Sequence, residues 1–296
     1  MKRLRIENEC LSVEVLPELG GKIASIIEKK SGYELLWQSK NGYKKAQYGS
    51  DFSLYDTSGI DEMFPTIDRC FYPLKKNKLL PDHGELWSQE WQMNLKNEII
   101  KGMCAGVAMG YEFHRAIYLE MNSLIMEYEV INNEKNDIVC LWALHPLFAC
   151  DSESRLILPG VNRIIAVQDS NRYGNFGDSK NYPITKDGLN LSLIKRSDFN
   201  QTAKFYVDHP LTKGEAGLTV NNNSLVVMVK FDLSSQSYLG VWINEGGFKG
   251  EYNVAIEPAS GYYDSLETAF HNKKCMVIDS GERKKWRIEI TIEENK

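Results

Sequence analysis

Several features that would identify a protein class are missing from this sequence of 296 residues. Only six cysteines are present and none forms a C-x-x-C pair, so neither a disulfide scaffold nor a cysteine metal site is expected. No apolar run approaches about 18 residues, the length that would span a bilayer. The basic start of the chain also lacks the apolar segment of a signal peptide. These absences predict a cytoplasmic protein with reduced thiols and no membrane partner.

An excess of positive charge is also missing. Lys and Arg total 35 and Asp and Glu total 40, which leaves a net charge of −5. A nucleic acid or an anionic membrane surface would require a basic patch, so neither is an expected partner. No phosphate-binding loop, nucleophile elbow or metal motif is present, and Gly20-Gly21 is not followed by a helical pattern.

What the chain does contain is hydrophobic alternation with a period of two, which is typical of half-buried β-strands. It is clearest over residues 11–15, 91–95 and 286–292. Residues 119–131 also favour a strand over a helix, and residues 264–271 could form one short helix. The continuous apolar run at residues 224–231 predicts a strand buried on both faces. The fold class predicted is all-β.

The organisation predicted is one domain over residues 1–296, built as a large antiparallel β-sandwich. No linker rich in Pro or Ser divides the chain, and no repeat of 20–50 residues is visible. The least regular stretch, residues 169–190, is rich in Asn, Gly and Asp. Such a stretch predicts a long loop on the rim of the sandwich.

Two of the five histidines lie in unusual surroundings. His83 sits in a turn between Pro81 and Gly84, shortly before Trp87. One interpretation is a loop histidine followed by a core tryptophan. The other is a histidine at the rim of a cleft, beside a flat aromatic side chain. A pyranose could form hydrogen bonds with the histidine and pack its ring on the aromatic side chain.

His145 lies in an otherwise apolar run, residues 141–148, so a core histidine is the default interpretation. Burial would lower its pKa and a neighbouring carboxylate would raise it, which could tune it as an acid near neutrality. Pro146 forces an extended backbone at His145 and removes a ladder donor. We therefore expect His145 at the end or the edge of a sheet strand.

Glu257 and Arg69 complete a set of residues typical of acid–base chemistry. Glu257 ends an apolar strand before Pro258, so it is either a partly desolvated general base or an ordinary solvent-facing carboxylate. The planar guanidinium of Arg69 could donate hydrogen bonds to neutral hydroxyls. Alternatively, it could form an ion pair with a nearby carboxylate such as Asp61, Glu62 or Asp68.

At these residues the chain resembles the divergent branch of the aldose 1-epimerase (galactose mutarotase-like) family. The similar segments follow the family's order and cover most of the chain; they are residues 20–25, 32–37, 61–69, 82–85, 145–148 and 238–258. Each segment alone is a weak signal, whereas the ordered set is fairly specific. The resemblance implies a large sandwich of mostly antiparallel strands.

The resemblance also implies roles. Glu257 would be the general base at the anomeric hydroxyl, and His145 the general acid at the ring oxygen. His83 and Arg69 would hold the sugar, with Trp87 as the aromatic surface. The family's sugar-binding aspartate has no obvious counterpart; Asp208 and Asp178 are candidates, and Asn244 could replace it. This chemistry needs no metal and no organic cofactor.

The predicted partner is a small sugar, and the protein is expected to be a monomer or a homodimer. A sugar phosphate would require several convergent cations. Near the site segments only Arg69, Lys75, Lys76 and Lys78 are available, so a free aldose is favoured.

Two alternatives of other classes stay open. One is a carbohydrate-binding or sensor protein that keeps the cleft without turnover. The other is a glycan hydrolase or lyase, which would need a second carboxylate, such as Glu85 or Asp61, facing Glu257.

Overall fold

The computed structural model describes residues 1–75 and 77–295, and its regular secondary structure is almost entirely β-strand. It contains one α-helix, α1 (Leu266–His271), and two short 3-10 helices, Phe52–Leu54 and Ser197–Phe199. The strands are β1 (Leu4–Glu7), β2 (Leu11–Leu16), β3 (Lys22–Glu28), β4 (Tyr33–Glu34), β5 (Ile60–Met63), β6 (Cys70–Phe71), β7 (Leu79–Leu80), β8 (Gln92–Lys96), β9 (Ile99–Ala105), β10 (Tyr111–Glu120), β11 (Ser123–Asn132), β12 (Ile138–Cys140), β13 (Ala143–Ala149), β14 (Leu156–Ile157), β15 (Arg163–Ala166), β16 (Ser179–Asn181), β17 (Gln201–Val207), β18 (Glu215–Val220), β19 (Leu225–Phe231), β20 (Tyr238–Glu245), β21 (Tyr252–Ala259), β22 (Met276–Ile278) and β23 (Arg283–Glu294).

Two large antiparallel sheets carry the fold. The first has 11 strands in the order β1-β2-β3-β5-β13-β21-β20-β17-β15-β16, with β4 paired to β3. The second has eight strands in the order β14-β18-β19-β23-β11-β10-β9-β8. The pairs β6–β7 and β12–β22 form two small additional sheets. This architecture confirms the predicted all-β antiparallel sandwich.

The core lies between the two large sheets and is built by alternation along the strands. In β21, Val254 and Ile256 belong to the main apolar cluster, as do Val241 of β20 and Phe205 of β17. From the second sheet, Phe113, Met126 and Ile288 are fully buried in the same cluster. Successive side chains of a strand point to opposite faces. In β21, β20 and β17, the residues that alternate with the core residues therefore lie on the outer face of the 11-stranded sheet.

Several details of the sequence prediction are confirmed and two need correction. Residues 264–271 do contain the helix α1, and residues 119–131 are strand apart from positions 121 and 122. The strand prediction, however, missed a turn at Met121, where β10 ends and β11 begins, with a φ of 50° at Met121. The segment at 224–231 forms β19, but only one of its faces is buried, because alternate residues such as Lys230 reach solvent at the outer side of the second sheet.

A buried ion pair joins the two large sheets. Nη1 of Arg115, on β10, lies 2.7 Å from Oε1 of Glu62, on β5, and both side chains are inaccessible to solvent. Tyr128 and Trp142 also donate hydrogen bonds to the Glu62 carboxylate, at 2.9 and 2.8 Å. The Arg115 guanidinium donates in addition to the carbonyl of Gly21. With these partners the buried carboxylate is fully compensated, as a charge in an apolar core must be.

Two further findings concern the cysteines and the helices. All six cysteines are free thiols, and three of them, Cys70, Cys104 and Cys140, are buried. Within residues 1–75 and 77–295, no helix is long and apolar enough to cross a membrane.

The ion pair between the sheets leads to a stability prediction. Arg115→Met leaves the Glu62 carboxylate buried without its cation, so we expect the free energy of unfolding to fall by about 3–5 kcal/mol. Urea denaturation at neutral pH would measure it. The double variant Glu62→Gln/Arg115→Met should lose less unfolding free energy than Arg115→Met alone, because no buried charge is left unpaired. Arg287→Met, whose side chain is 45% exposed, is the matched control. Equal stability of Arg115→Met and Arg287→Met would contradict this account.

Candidate functional site

A cavity of about 350 Å³ opens on the outer face of the 11-stranded sheet. Four neighbouring strands form its floor: β13, β21, β20 and β17. The loops at residues 52–57 and 82–83 and the segments around Val167, Phe248 and Asp264 form its walls. The cavity therefore lies on the face of the 11-stranded sheet opposite the hydrophobic core.

Sheet register places the floor residues in rows. Gly240 pairs with Glu257 and with Tyr206 on either side, and Trp242 pairs with Ala255 and with Lys204. Paired residues of neighbouring strands point to the same face. The polar residues Glu257, Lys204 and Asn253 thus share the outer face, while the apolar residues between them fill the core.

His145 and Glu257 meet on this floor. The β13–β21 ladder pairs Ala143 with Ala259 and Leu147 with Ala255, which places His145 opposite Glu257. Nε2 of His145 lies 3.9 Å from Oε1 of Glu257. Both side chains are buried, with relative exposures of 7% and 1%. A proton donor and a proton acceptor therefore face one cavity together.

The expectation that Pro146 places His145 at a strand end or edge is wrong. His145 lies in the middle of β13, a central strand between β5 and β21. The proline is accommodated because the ladder with β21 is interrupted between Ala143 and Leu147 and then resumes in the same register. The lost ladder bonds fall at the point where His145 and Glu257 face each other.

A buried lysine, Lys204, occupies the other side of the Glu257 carboxylate. Its Nζ lies 3.1 Å from Oε2 of Glu257 and 3.0 Å from Oδ2 of Asp264. Tyr206 donates a hydrogen bond to Oδ1 of Asp264. A Cβ on Gly240 would lie 3.2 Å from Oε2 of Glu257, so the glycine leaves the room that this carboxylate occupies. One cation is shared between two carboxylates.

Burial and these charges shift the pKa values of the group. Desolvation raises the pKa of Glu257, and the Lys204 cation opposes the rise without cancelling it. Desolvation, with the neighbouring charges of His83 and Lys204, holds the pKa of His145 well below 6.5. Desolvation also lowers the pKa of Lys204, but the carboxylates of Asp264 and Glu257 outweigh it and the pKa is raised. At pH 7 the cavity thus holds a charged lysine beside a neutral imidazole, and the imidazole takes up a proton only at lower pH.

His83 reaches the same end of the cavity from a loop. Its ring stacks on Phe52 at 4.1 Å and lies 5.2 Å from the His145 ring, centroid to centroid. Oδ1 of Asp82 lies 3.0 Å from its Nδ1. A φ of 56° at His83 and 68° at Gly84 turns the chain sharply here. A Cβ at Gly84 would come within 2.2 Å of the Phe64 carbonyl oxygen, so this close approach requires glycine.

Trp87 and Asn244, two predicted sugar-binding residues, are not among the residues that line the cavity. Trp87 is buried and donates from Nε1 to the carbonyl of Asp82 at 3.0 Å, which supports the loop that carries His83. Asn244 is buried and hydrogen-bonds the backbone of Phe248 through both amide atoms, at 3.0 and 3.1 Å. Both residues hold wall segments in place.

Arg69 and the other predicted cations also lie away from the cavity. The Arg69 side chain is exposed and does not line it. Lys75 lies 3.8 Å from Glu134 on the surface, and Lys78 is likewise absent from the lining. Lys76 lies outside the described residues. Of the six predicted site residues, the structure brings together His83, His145 and Glu257.

The other predicted carboxylates have partners elsewhere. Asp208 binds Arg163 at 2.9 Å, and Asp178 accepts from the Asn175 amide at 2.9 Å. Asp61 pairs with His145 across the β13–β5 ladder and is held by Lys22, and desolvation raises its pKa to about 6. Glu85 accepts from the backbone amides of residues 107 and 108 and from Tyr111. None of the four lines the cavity.

Sequence reasoning missed several residues of the lining, above all Lys204, Asp264, Trp242 and Asn253. A usable signal was present. In residues 203–207 and 253–257 the apolar positions alternate with Lys204, Tyr206, Asn253 and Glu257. Polar residues on the second face of otherwise apolar central strands indicate a lined cavity. Within the described residues, no group of three or more His, Cys, Asp or Glu side chains is arranged to hold a metal ion.

Comparisons with known proteins support the fold. The model of a domain of unknown function (DUF5107) matches residues 1–78, about a quarter of the chain. No curated protein matches. The Slr1438 protein of Synechocystis sp. PCC 6803 superposes with a TM-score of 0.76 at 16% identity, covering 100% of this chain and 96% of its own.

Two other similar structures bear descriptive names. A galactose mutarotase related enzyme from Lactobacillus acidophilus has a TM-score of 0.72 at 17% identity, covering 99% of this chain and 98% of its own. A galactose mutarotase-like protein from Lactobacillus casei has a TM-score of 0.70 at 15% identity, and the match covers 99% of this chain and 100% of that protein. The chain therefore has the galactose mutarotase-like sandwich fold, in agreement with the resemblance found in the sequence.

The charge on Lys204 leads to a prediction about His145. Lys204→Met removes a cation that opposes protonation of the imidazole, so the pKa of His145 should rise. NMR titration of ring-labelled histidine, assigned with His145→Gln, would measure the shift. Lys249→Met is the control, because Lys249 binds the Tyr55 carbonyl at the exposed rim. An unchanged or lower pKa of His145 in Lys204→Met would contradict this electrostatic account.

Proposed function

We propose that this protein is an aldose 1-epimerase, which interconverts the α and β anomers of a free aldohexose. The observation that carries the proposal is the buried pair His145 and Glu257, 3.9 Å apart on the floor of one cavity. Anomer exchange needs one group that takes a proton and one that gives a proton at neighbouring oxygens, and this pair has both.

The floor of the cavity also suits a sugar ring. Beside the His145 and Glu257 row lies a row formed by Leu147, Ala255 and Trp242. Leu147 and Trp242 line the cavity, and the small Ala255 pairs with both of them across the sheet. A pyranose can pack an apolar face against the indole of Trp242 while its hydroxyls reach the polar residues at the ends. Trp242 thus takes the role expected of Trp87.

The reaction proceeds by ring opening and closure. The Glu257 carboxylate removes the proton of the anomeric hydroxyl, and the freed electron pair forms the C1–O1 double bond. The bond between C1 and the ring oxygen breaks, and the ring oxygen takes a proton from the His145 imidazolium. Rotation about C1–C2 and the reverse transfers close the ring with the other configuration. His83, whose ring lies 5.2 Å from the ring of His145, donates a hydrogen bond near the ring oxygen in this proposal.

The charge of the cavity favours an unphosphorylated sugar. Asp68, Asp82, Glu251 and Asp264 line it in addition to Glu257, and the cation Lys204 is already shared by two carboxylates. A phosphate group would meet net negative charge instead of convergent cations. The two carboxylates predicted for the hydrolase alternative, Glu85 and Asp61, do not line the cavity.

Glutamine at position 257 tests the proposal against a binding-only protein. Glu257→Gln keeps the shape but not the base, so the protein's acceleration should fall by about 10²–10⁴-fold. Polarimetry or NMR exchange spectroscopy of fresh α-D-glucose and α-D-galactose measures the rate above the uncatalysed one. Glu90→Gln, an exposed glutamate, is the matched control. A Gln variant that is as fast as wild type, or a wild type that binds both sugars without acceleration, would overturn the proposal.

The pH dependence follows from the two shifted pKa values. The productive form pairs ionised Glu257 with protonated His145. Because burial raises the pKa of Glu257, activity should be lost as pH falls through that raised value. Because burial lowers the pKa of His145, activity should also be lost as pH rises through a value below 6.5. We expect a bell-shaped kcat/KM with an acidic optimum. A rate that increases steadily from pH 5 to pH 9 would contradict it.

A further inference from the structure

One cavity residue, Asn253, has no assigned role in the chemistry above. Its side chain is 1% exposed and lines the cavity, and neither Nδ2 nor Oδ1 makes a hydrogen bond of normal length and angle within the described residues, although the Glu251 carboxylate lies near the amide. Buried amides are almost always paired, because an unpaired one has lost its water without replacement. An amide at a cavity wall with neither atom in a well-formed hydrogen bond therefore has the form of a ligand-binding group.

The position of Asn253 shows which part of a ligand it would meet. It lies on β21 four residues before Glu257, on the same face, which corresponds to about 13 Å along the strand. Ala255 lies between them, beside Trp242 on the neighbouring strand. A ring that packs over Ala255 and Trp242 with its anomeric carbon at Glu257 would direct its opposite edge towards Asn253.

The surroundings of Asn253 form a polar end of the cavity. Glu251 lines the same end, and its Oε1 accepts a hydrogen bond from Thr57 at 2.7 Å. Asn253 supplies both a donor and an acceptor, whichever way the amide is turned. Two hydroxyls on neighbouring ring carbons, one accepting and one donating, would satisfy both atoms at once.

We infer that Asn253 is a specificity-determining residue, which hydrogen-bonds the hydroxyls on C3 and C4, at the edge of the sugar remote from the anomeric carbon. The orientation of the ring rests on the proposed function, since it places C1 at Glu257. Sites that hydrogen-bond a substrate hydroxyl discriminate strongly against analogues that lack it, because the buried partner is then left unpaired. Asn253 would thus select among sugars by the far edge of the ring.

The experiment compares parent and deoxy sugars on two proteins. D-glucose and D-galactose are tested beside 3-deoxy- and 4-deoxy-D-glucose with wild type and Asn253→Leu, by anomer exchange and by calorimetric titration. With the wild-type protein, kcat/KM and affinity should each be about tenfold lower, or more, for a deoxy sugar than for its parent sugar. In Asn253→Leu that ratio should shrink to about twofold or less, because the contact is already absent. Asn253→Ala repeats the comparison if the Leu variant does not fold.

The outcomes separate this inference from the proposed function. Asn94→Leu, an exposed strand asparagine, is the matched control and should keep the wild-type ratios. If wild type binds the sugars without accelerating exchange, epimerase activity fails, and the calorimetric ratios still test Asn253. Equal weakening of parent and deoxy sugars in Asn253→Leu, or no change at all, would overturn the role of Asn253.

Discussion

The two-residue alternation of the central strands is the constraint on which the rest of the structure depends. In β13, β21, β20 and β17 one set of side chains fills the core and the next set forms the floor of the cavity. A slip of one residue in any of these strands would exchange the two sets. It would place a residue such as Glu257 in the core and Ile256 in the cavity. Burial of the apolar set therefore also aligns the polar set.

Buried charges are held in compensated groups on both faces of the 11-stranded sheet. On the core side Arg115 pairs with Glu62, and on the outer side Lys204 pairs with Glu257 and Asp264. The Glu62 carboxylate of the core pair also accepts hydrogen bonds from Tyr128 and Trp142, which suits a structural role. The cavity group includes atoms left for a ligand, and its pKa values are shifted, which suits a site of proton transfer.

Some residues of the cavity can be found from the sequence, and others cannot. His145 and Glu257 were recognisable because each interrupts an apolar run, and His83 because it lies in a Pro-Asp-His-Gly turn. Trp87 and Arg69 were chosen by chemical type, yet the structure places one beneath a loop and the other in solvent. Residue type cannot show on which side of a loop a side chain lies. Lys204 and Asn253 were missed although they show the same alternation that marked Glu257.

The sequence by itself determined the fold class, because the period of its apolar residues is a local property that each strand carries separately. It also determined that Glu257 and His145 lie on apolar strands. Only the tertiary structure decided that the two side chains meet, since their contact depends on a pairing between β13 and β21, more than 100 residues apart in the chain. The same holds for Lys204 and Asp264, whose shared charge arises from the packing of β17 against the segment that follows β21.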